Sequence, residues 1–139
     1  MTSKGSVAEG ILLKMLMDRG IEAEHGSPSR PGDIIVPPNV IIEIKDPKGN
    51  SYSFKQHSGK GEQQWKALKE KKERFPWLQI YYVVRYGRKE WRWFDLPTVS
   101  STLRKKDGMD LAALMETLLE KQARFAELQV ANISLSGVH

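Results

Sequence analysis

Six consecutive residues set the tightest limit on how this chain can fold. In Val40-Ile41-Ile42-Glu43-Ile44-Lys45 the apolar residues fall on both faces of an extended segment, as in a strand buried inside a sheet. Such a strand needs neighbours on both edges and cover on both faces, so further strands and flanking helices must surround it. Yet it also carries Glu43 and Lys45, two residues apart and therefore on one face, with Ile42 and Ile44 on the other. Burying a carboxylate or an ammonium among apolar groups is costly unless each is paired or bound to a metal. The chain thus puts charge where a core should be.

Period and punctuation give the other elements. Ser6 to Arg19 is expected as a helix, with Val7, Ala8, Ile11, Leu12, Met15 and Leu16 at helical spacing and Gly20 as its stop. A short strand, Ile21 to His25, and a loop through Gly32 lead to a second strand, Asp33 to Val36, closed by the Pro37-Pro38-Asn39 turn. Asp46 to Gly61, rich in Gly, Ser, Lys and Asn, is expected as a mobile loop. A helix follows from Glu62 to Arg74, with Trp65, Leu68 and Phe75 on one stripe. Leu78 to Arg85 and Lys89 to Asp95 form a hairpin by pattern, around Tyr86-Gly87-Arg88. A loop from Thr98 to Gly108 precedes an amphipathic helix from Asp110 to Leu128. The tail, 129–139, shows no period and is expected to be loose. The expectation is one α/β domain over 1–139, with a central mixed five-stranded sheet flanked by helices.

Asp33 opens the strand before Glu43, and a short turn can bring the two carboxylates together. They repel, and a divalent cation relieves the repulsion; Mg²⁺ favours a site of one or two carboxylates, waters and a phosphate. The plainer alternative is a Glu43–Lys45 salt bridge on an exposed sheet face. Glu9 projects between Leu13 and Leu16 at ~100° per residue, near the middle of the apolar face of its helix. There it needs a partner, which a metal site beneath the helix would supply; a first-turn glutamate reaching solvent and favouring the helix dipole is the alternative. Gln64, one turn before Leu68, stands beside the inward stripe of the second helix. It could bond a catalytic carboxylate or a phosphate, or simply be a good helix former.

Charge and missing residue types narrow the function. The net charge is +5, and residues 45–74 hold nine Lys or Arg against four Asp or Glu, the entire surplus. That placement suits a polyanion bound with release of counterions, although a solvated lysine-rich helix has the same composition. With no cysteine there is neither a disulfide framework nor a thiolate metal site. His25, His57 and His139 are scattered without metal-ligand spacing, so zinc is not expected, and Gly59-Lys60-Gly61 reads as flexibility. No apolar run approaches the ~20 residues that span a bilayer. The opening residues lack the apolar stretch of a signal peptide, so the expected location is the cytoplasm, or a host's cytoplasm if the chain is phage-encoded.

Asp33 followed by Glu43-Ile44-Lys45 resembles the PD-(D/E)XK nuclease signature, with Gly32 in place of its proline. The likeness extends toward the archaeal-type Holliday junction resolvases. Lys4-Gly5-Ser6-Val7-Ala8-Glu9 is similar to their Lys-Gly-x-x-x-Glu opening, Tyr81 to Arg85 with Glu90 to Phe94 to their closing hairpin, and Asp107 to Leu111 to the start of their last helix. It runs from residue 4 to about residue 119. The family's serine in the loop before the aspartate has two counterparts here, Ser27 and Ser29. The loop from Pro47 to Gly61 and the tail after Glu120 have no clear one.

This resemblance implies a restriction-endonuclease-like fold and a metal-dependent endonuclease that resolves four-way junctions by paired nicks, leaving 5′-phosphates. Asp33 and Glu43, with the Ile44 carbonyl and Glu9, would hold Mg²⁺ or Mn²⁺. Lys45 would orient water or stabilise the phosphoryl oxygens, and Gln64 would assist. Lys4, Ser29, Arg30, Lys48, Lys55, Lys60, Lys66 and Lys69 are the candidate DNA contacts. Two like nicks on a two-fold junction imply a homodimer, with Trp91, Trp93, Phe94 or the last helix at its interface. The competing readings are a flap-type, phage or mobile-element nuclease of the same superfamily, a non-catalytic DNA-binding module and, least supported, an RNA-binding protein.

Overall fold

The computed structural model describes residues 4–27, 32–55 and 59–136, with side chains for 7–27, 32–55 and 59–132. The element order is α1 (Lys4–Asp18), β1 (Glu24–His25), β2 (Ile34–Val36), β3 (Val40–Lys45), β4 (Ser51–Ser53), α2 (Lys60–Arg74), β5 (Gln79–Tyr86), β6 (Glu90–Asp95), β7 (Thr102–Arg104), a 3-10 turn (Lys105–Asp107), β8 (Met109–Asp110) and α3 (Leu111–Ser136). The main sheet runs β1-β2-β3-β5-β6-β8. Its central pair, β3 and β5, is parallel, with α2 in the connection between them; every other pair is antiparallel. The sheet has six strands where five were expected. The sixth, β8, is two residues long, too short for a period-two pattern to show.

Both faces of β3 and β5 are covered, which is why their sequences are apolar throughout. One face packs Ile34, Ile42, Ile44 and Val83 against Ala8, Leu12 and Leu16 of α1 and Leu114 and Leu118 of α3. The other packs Ile41, Ile80, Tyr82 and Val84 against Trp65 and Leu68 of α2. Glu43 and Lys45 share the parity of Ile41, so they lie on the α2 face.

The described parts of the segment expected as a mobile loop, 46–55 and 59–61, contribute to this second core. Its β4 pairs with β7 in a separate two-stranded sheet, Tyr52 opposite Leu103. Tyr52 and Phe54 are buried, while Ser51 and Lys55 are exposed. That alternation is a strand pattern masked by polar composition. Gly61, expected to confer flexibility, is buried at the start of α2, where a Cβ would collide with the Tyr52 hydroxyl and crowd the Phe54 carbonyl. Its missing side chain is a packing requirement.

Beyond Leu118 the last helix leaves the core. It continues past Leu128 to Ser136, exposing Leu119, Phe125, Leu128 and Val130. Among the described residues no helix is long and apolar enough to cross a membrane.

Gly32 precedes the candidate site with φ 108°, and a Cβ there would run into the Ile41 side chain. Proline, fixed near −65°, cannot adopt that conformation, which accounts for glycine where the nuclease signature has proline. Restoring the signature with Gly32→Pro is therefore expected to destabilise the protein by more than about 1 kcal/mol in urea unfolding. An unchanged midpoint would contradict the backbone described here.

Candidate active site

The register of β2 on β3 assembles the first half of the site. Ile34 pairs with Ile42, so Asp33, one residue earlier, falls beside Glu43. The Asp33 amide donates to the Ile42 carbonyl at 2.9 Å, and the Ile44 amide donates to Asp33 Oδ2 at 2.7 Å. The N–H and C=O of one strand residue point to the same side, so the Ile44 carbonyl also turns toward β2 and Asp33. Two carboxylates and a backbone oxygen thus face one place at the end of β3.

Helix α2 and β4 supply the second half. Lys45 Nζ lies 3.1 Å from Glu43 Oε2 and donates to the Gln64 side-chain oxygen from α2. The same ammonium sits 5.5 Å from the centre of the Tyr52 ring. Gly61 lets the start of α2 approach β4 closely enough to bring Gln64 and Tyr52 around one lysine. Asp33, Glu43, Lys45 and Gln64 therefore form one group on the α2 face; the Glu43–Lys45 salt bridge of the plainer alternative is present, but it is buried rather than on an exposed sheet face.

The electrostatics are those of charge enclosed. Glu43 is only 3% exposed. Burial first, and then the neighbouring Asp33 carboxylate, push its pKa up to about 7 against the attraction of Lys45. For Lys45, burial pulls the pKa down, but Glu43, Tyr52 and Asp33 more than offset it and hold the ammonium above its ordinary value. Asp33 is only half-buried, so the group opens to solvent on its side.

Glu9 lies elsewhere. It pairs with His25 Nδ1. Its helix packs on the opposite sheet face from Glu43 and Lys45. Among the described residues no three Asp, Glu or His side chains stand together as a metal-binding cluster. Of the candidate DNA contacts, Lys48, Lys55 and Lys60 are exposed along the segment joining β3, β4 and α2. Lys66 pairs with Glu62 at 3.7 Å, and Lys69 lies over the Trp65 ring while donating to the Thr98 carbonyl at 3.2 Å. The Lys4 side chain, Ser29 and Arg30 lie outside the described residues.

Three features escaped the sequence reading. Tyr52 beneath Lys45 lay in the segment taken for a loop. Tyr82, opposite Glu43 in the β3–β5 register, lay in an apolar run with nothing to set it apart. The third is a two-bonded ion pair on the other sheet face: Arg85 Nε to Asp46 Oδ1 at 3.0 Å and Nη2 to Oδ2 at 2.7 Å. Arg85, the sole charge in Ile80–Tyr86, was the available signal for that pair.

The chain is similar to the 1.6 Å structure of Archaeoglobus fulgidus Hjc, a Holliday junction resolvase from an archaeal hyperthermophile. The TM-score is 0.62 at 20% sequence identity, over 82% of this chain and 97% of that one. No family model matches the sequence, and the search of curated proteins finds no match. At this identity the likeness establishes the fold: a mixed six-stranded sheet flanked by three helices, as in that resolvase.

The Glu43 shift has a direct consequence. In the folded, metal-free protein Glu43 keeps its proton up to about pH 7, whereas the unfolded chain releases it near 4.5. The folded state binds the extra proton in that window, so the Glu43 contribution to stability is full below pH 4.5 and fades as pH rises through 7. Glu43→Gln removes this loss. Between pH 5 and pH 8, the variant's stability should improve relative to wild type by on the order of 2 kcal/mol. A difference that stays constant with pH would contradict the buried carboxyl.

Proposed function

We propose that the protein is a divalent-metal-dependent endonuclease that hydrolyses phosphodiester bonds in branched DNA, with the four-way junction as preferred substrate. The observation that carries the reading is the grouping of Asp33, Glu43, Lys45 and Gln64 at the end of β3, on a fold shared with a junction resolvase. The donor set suits Mg²⁺ or Mn²⁺: hard oxygens from Asp33, Glu43 and the Ile44 carbonyl, with one open side for waters and a phosphate. Two adjacent carboxylates, one deeply buried, repel each other unless a cation lies between them. Glu9 would join them through the carboxylate oxygen that His25 does not hold.

A divalent ion in that place supplies Lewis-acid polarisation of the scissile phosphate and makes water more acidic. The residues do the rest. Lys45, held by Glu43 and Gln64, presents fixed positive charge where negative charge grows on the phosphoryl oxygens, or orients the attacking water. Gln64 fixes the lysine rotamer by accepting from its ammonium. In-line attack of water then breaks the P–O3′ bond, leaving a 5′-phosphate and a 3′-hydroxyl. Lys48, Lys55 and Lys60, exposed along the segment that joins β3, β4 and α2, would neutralise backbone phosphates without reading sequence.

Paired nicks of like polarity call for a two-fold homodimer. Trp91, Trp93 and Phe94 pack against the two cores, so the exposed half of α3 is the better candidate interface. The expected location remains the cytoplasm, or a host's cytoplasm for a phage-encoded chain.

Labelled four-way junction, flap, bubble and linear duplex, each incubated with the protein and Mg²⁺, test the reading. The junction should be cut by paired nicks. Preferential cutting of flaps would favour a flap-type enzyme of the same superfamily, and binding without cutting a non-catalytic module. Asp33→Ala, Glu43→Ala and Lys45→Ala should each lower cleavage at least about 100-fold while leaving junction affinity in Ca²⁺ nearly unchanged. Wild-type rates in all three would refute the site. Binding should weaken steeply with salt, and Lys55→Glu with Lys60→Glu should flatten that dependence. A salt-independent affinity would remove the proposed DNA surface.

A further inference from the structure

The tyrosines that line the sheet differ in one respect. Tyr86 donates its hydroxyl to the Leu103 carbonyl at 2.9 Å, and Tyr81 donates to Gln79 Oε1 at 2.9 Å. The Tyr82 hydroxyl, on a residue with no exposed surface, has no hydrogen-bond partner among the described residues. Leaving a buried donor unpaired is costly, and such a group calls for a specific explanation. Phenylalanine would fill the same space without that cost.

Position supplies the explanation. Tyr82 of β5 stands directly opposite Glu43 of β3 in the parallel register, so the two side chains leave the sheet on the same face from neighbouring strands. The ring is fixed by an edge contact with Phe54, centroids 5.4 Å apart at 80°. On its other flank Tyr82 pairs with Phe94 of β6. Glu43 uses Oε2 for Lys45 and has Asp33 on its β2 side. Tyr82 carries the hydroxyl on its β5 side.

We propose that Tyr82 is a positioning residue for Glu43. Its hydroxyl donates, directly or through one water, to the ionised Glu43 carboxylate when that group binds a divalent cation, and so fixes the carboxylate's orientation. Donors behind metal-binding carboxylates act in this way, and their loss typically costs 10–100-fold in metal affinity. The inference rests on the metal-site reading above, but not on the substrate assigned there.

Tyr82→Phe removes one oxygen and keeps the ring packing. Titration calorimetry with Mn²⁺ should show affinity about 10-fold weaker than wild type. The metal-free Tm should be unchanged or higher, because the unpaired hydroxyl is gone. Where DNA cleavage is measured, the half-saturating metal concentration should rise while the rate at saturating metal stays close to wild type. Wild-type Mn²⁺ affinity in Tyr82→Phe would overturn the proposal and leave the metal site standing. A fallen Tm with unaltered affinity would also overturn it, in favour of a purely structural tyrosine. A wild-type protein that binds Mn²⁺ but cuts no DNA would sink the nuclease reading and leave this inference intact, while one that binds no Mn²⁺ would overturn both.

Discussion

A carboxylate and an ammonium held 3.1 Å apart on the inner face of a buried strand govern the architecture around them. Neither charge is tolerable there alone. Lys45 needs Glu43 and Gln64, Glu43 needs Lys45, and the second carboxylate, Asp33, adds repulsion that the pair cannot fully relieve. Each flanking element contributes to this arrangement. β2 delivers Asp33, α2 delivers Gln64, and β4 lays Tyr52 under the lysine. Burying these charges carries a cost that an apolar residue would not, and that cost is the physical ground of the cation site proposed above.

The two faces of the main sheet are used differently. The α1–α3 face is a conventional apolar core, with the Asp46–Arg85 pair near its margin. The α2 face combines an aromatic core, Tyr52, Phe54, Trp65 and Tyr82, with the polar group at the end of β3. Aromatic walls exclude water from part of that group and so strengthen its electrostatics, while half-buried Asp33 leaves one side open. A substrate phosphate would approach from that side.

Most of the central fold was legible in the sequence because β3, β5, β6 and α1 are long enough to show their pattern, and because the Pro37-Pro38-Asn39 turn closes the short apolar run of β2. The hairpin turned at Gly87 as its pattern required, and Arg88 completes the turn with φ 61°. Short pairings were not legible. β4 and β8 gain their partners from distant residues, Thr102–Arg104 and Arg92–Trp93, and a segment of two or three residues carries no period of its own. Within the site, Asp33, Glu43, Lys45 and Gln64 could be placed because strand parity and a single helical turn determine their directions. Glu9 could not, because a helical projection shows which way a side chain faces but not which sheet residue meets it. Here that residue is His25. Tyr82 was hidden for the opposite reason: its neighbour in space is set by parallel register, which no local pattern records.

The central claim is that Asp33, Glu43 and the Ile44 carbonyl form a cation site. A crystal of the protein soaked in Mn²⁺, with anomalous scattering recorded at the manganese edge, tests it most directly. The account predicts an ion ligated by both carboxylates and the Ile44 oxygen, with Lys45 alongside but not bound to it. An ion bound elsewhere, or none between these residues at saturating Mn²⁺, would contradict it.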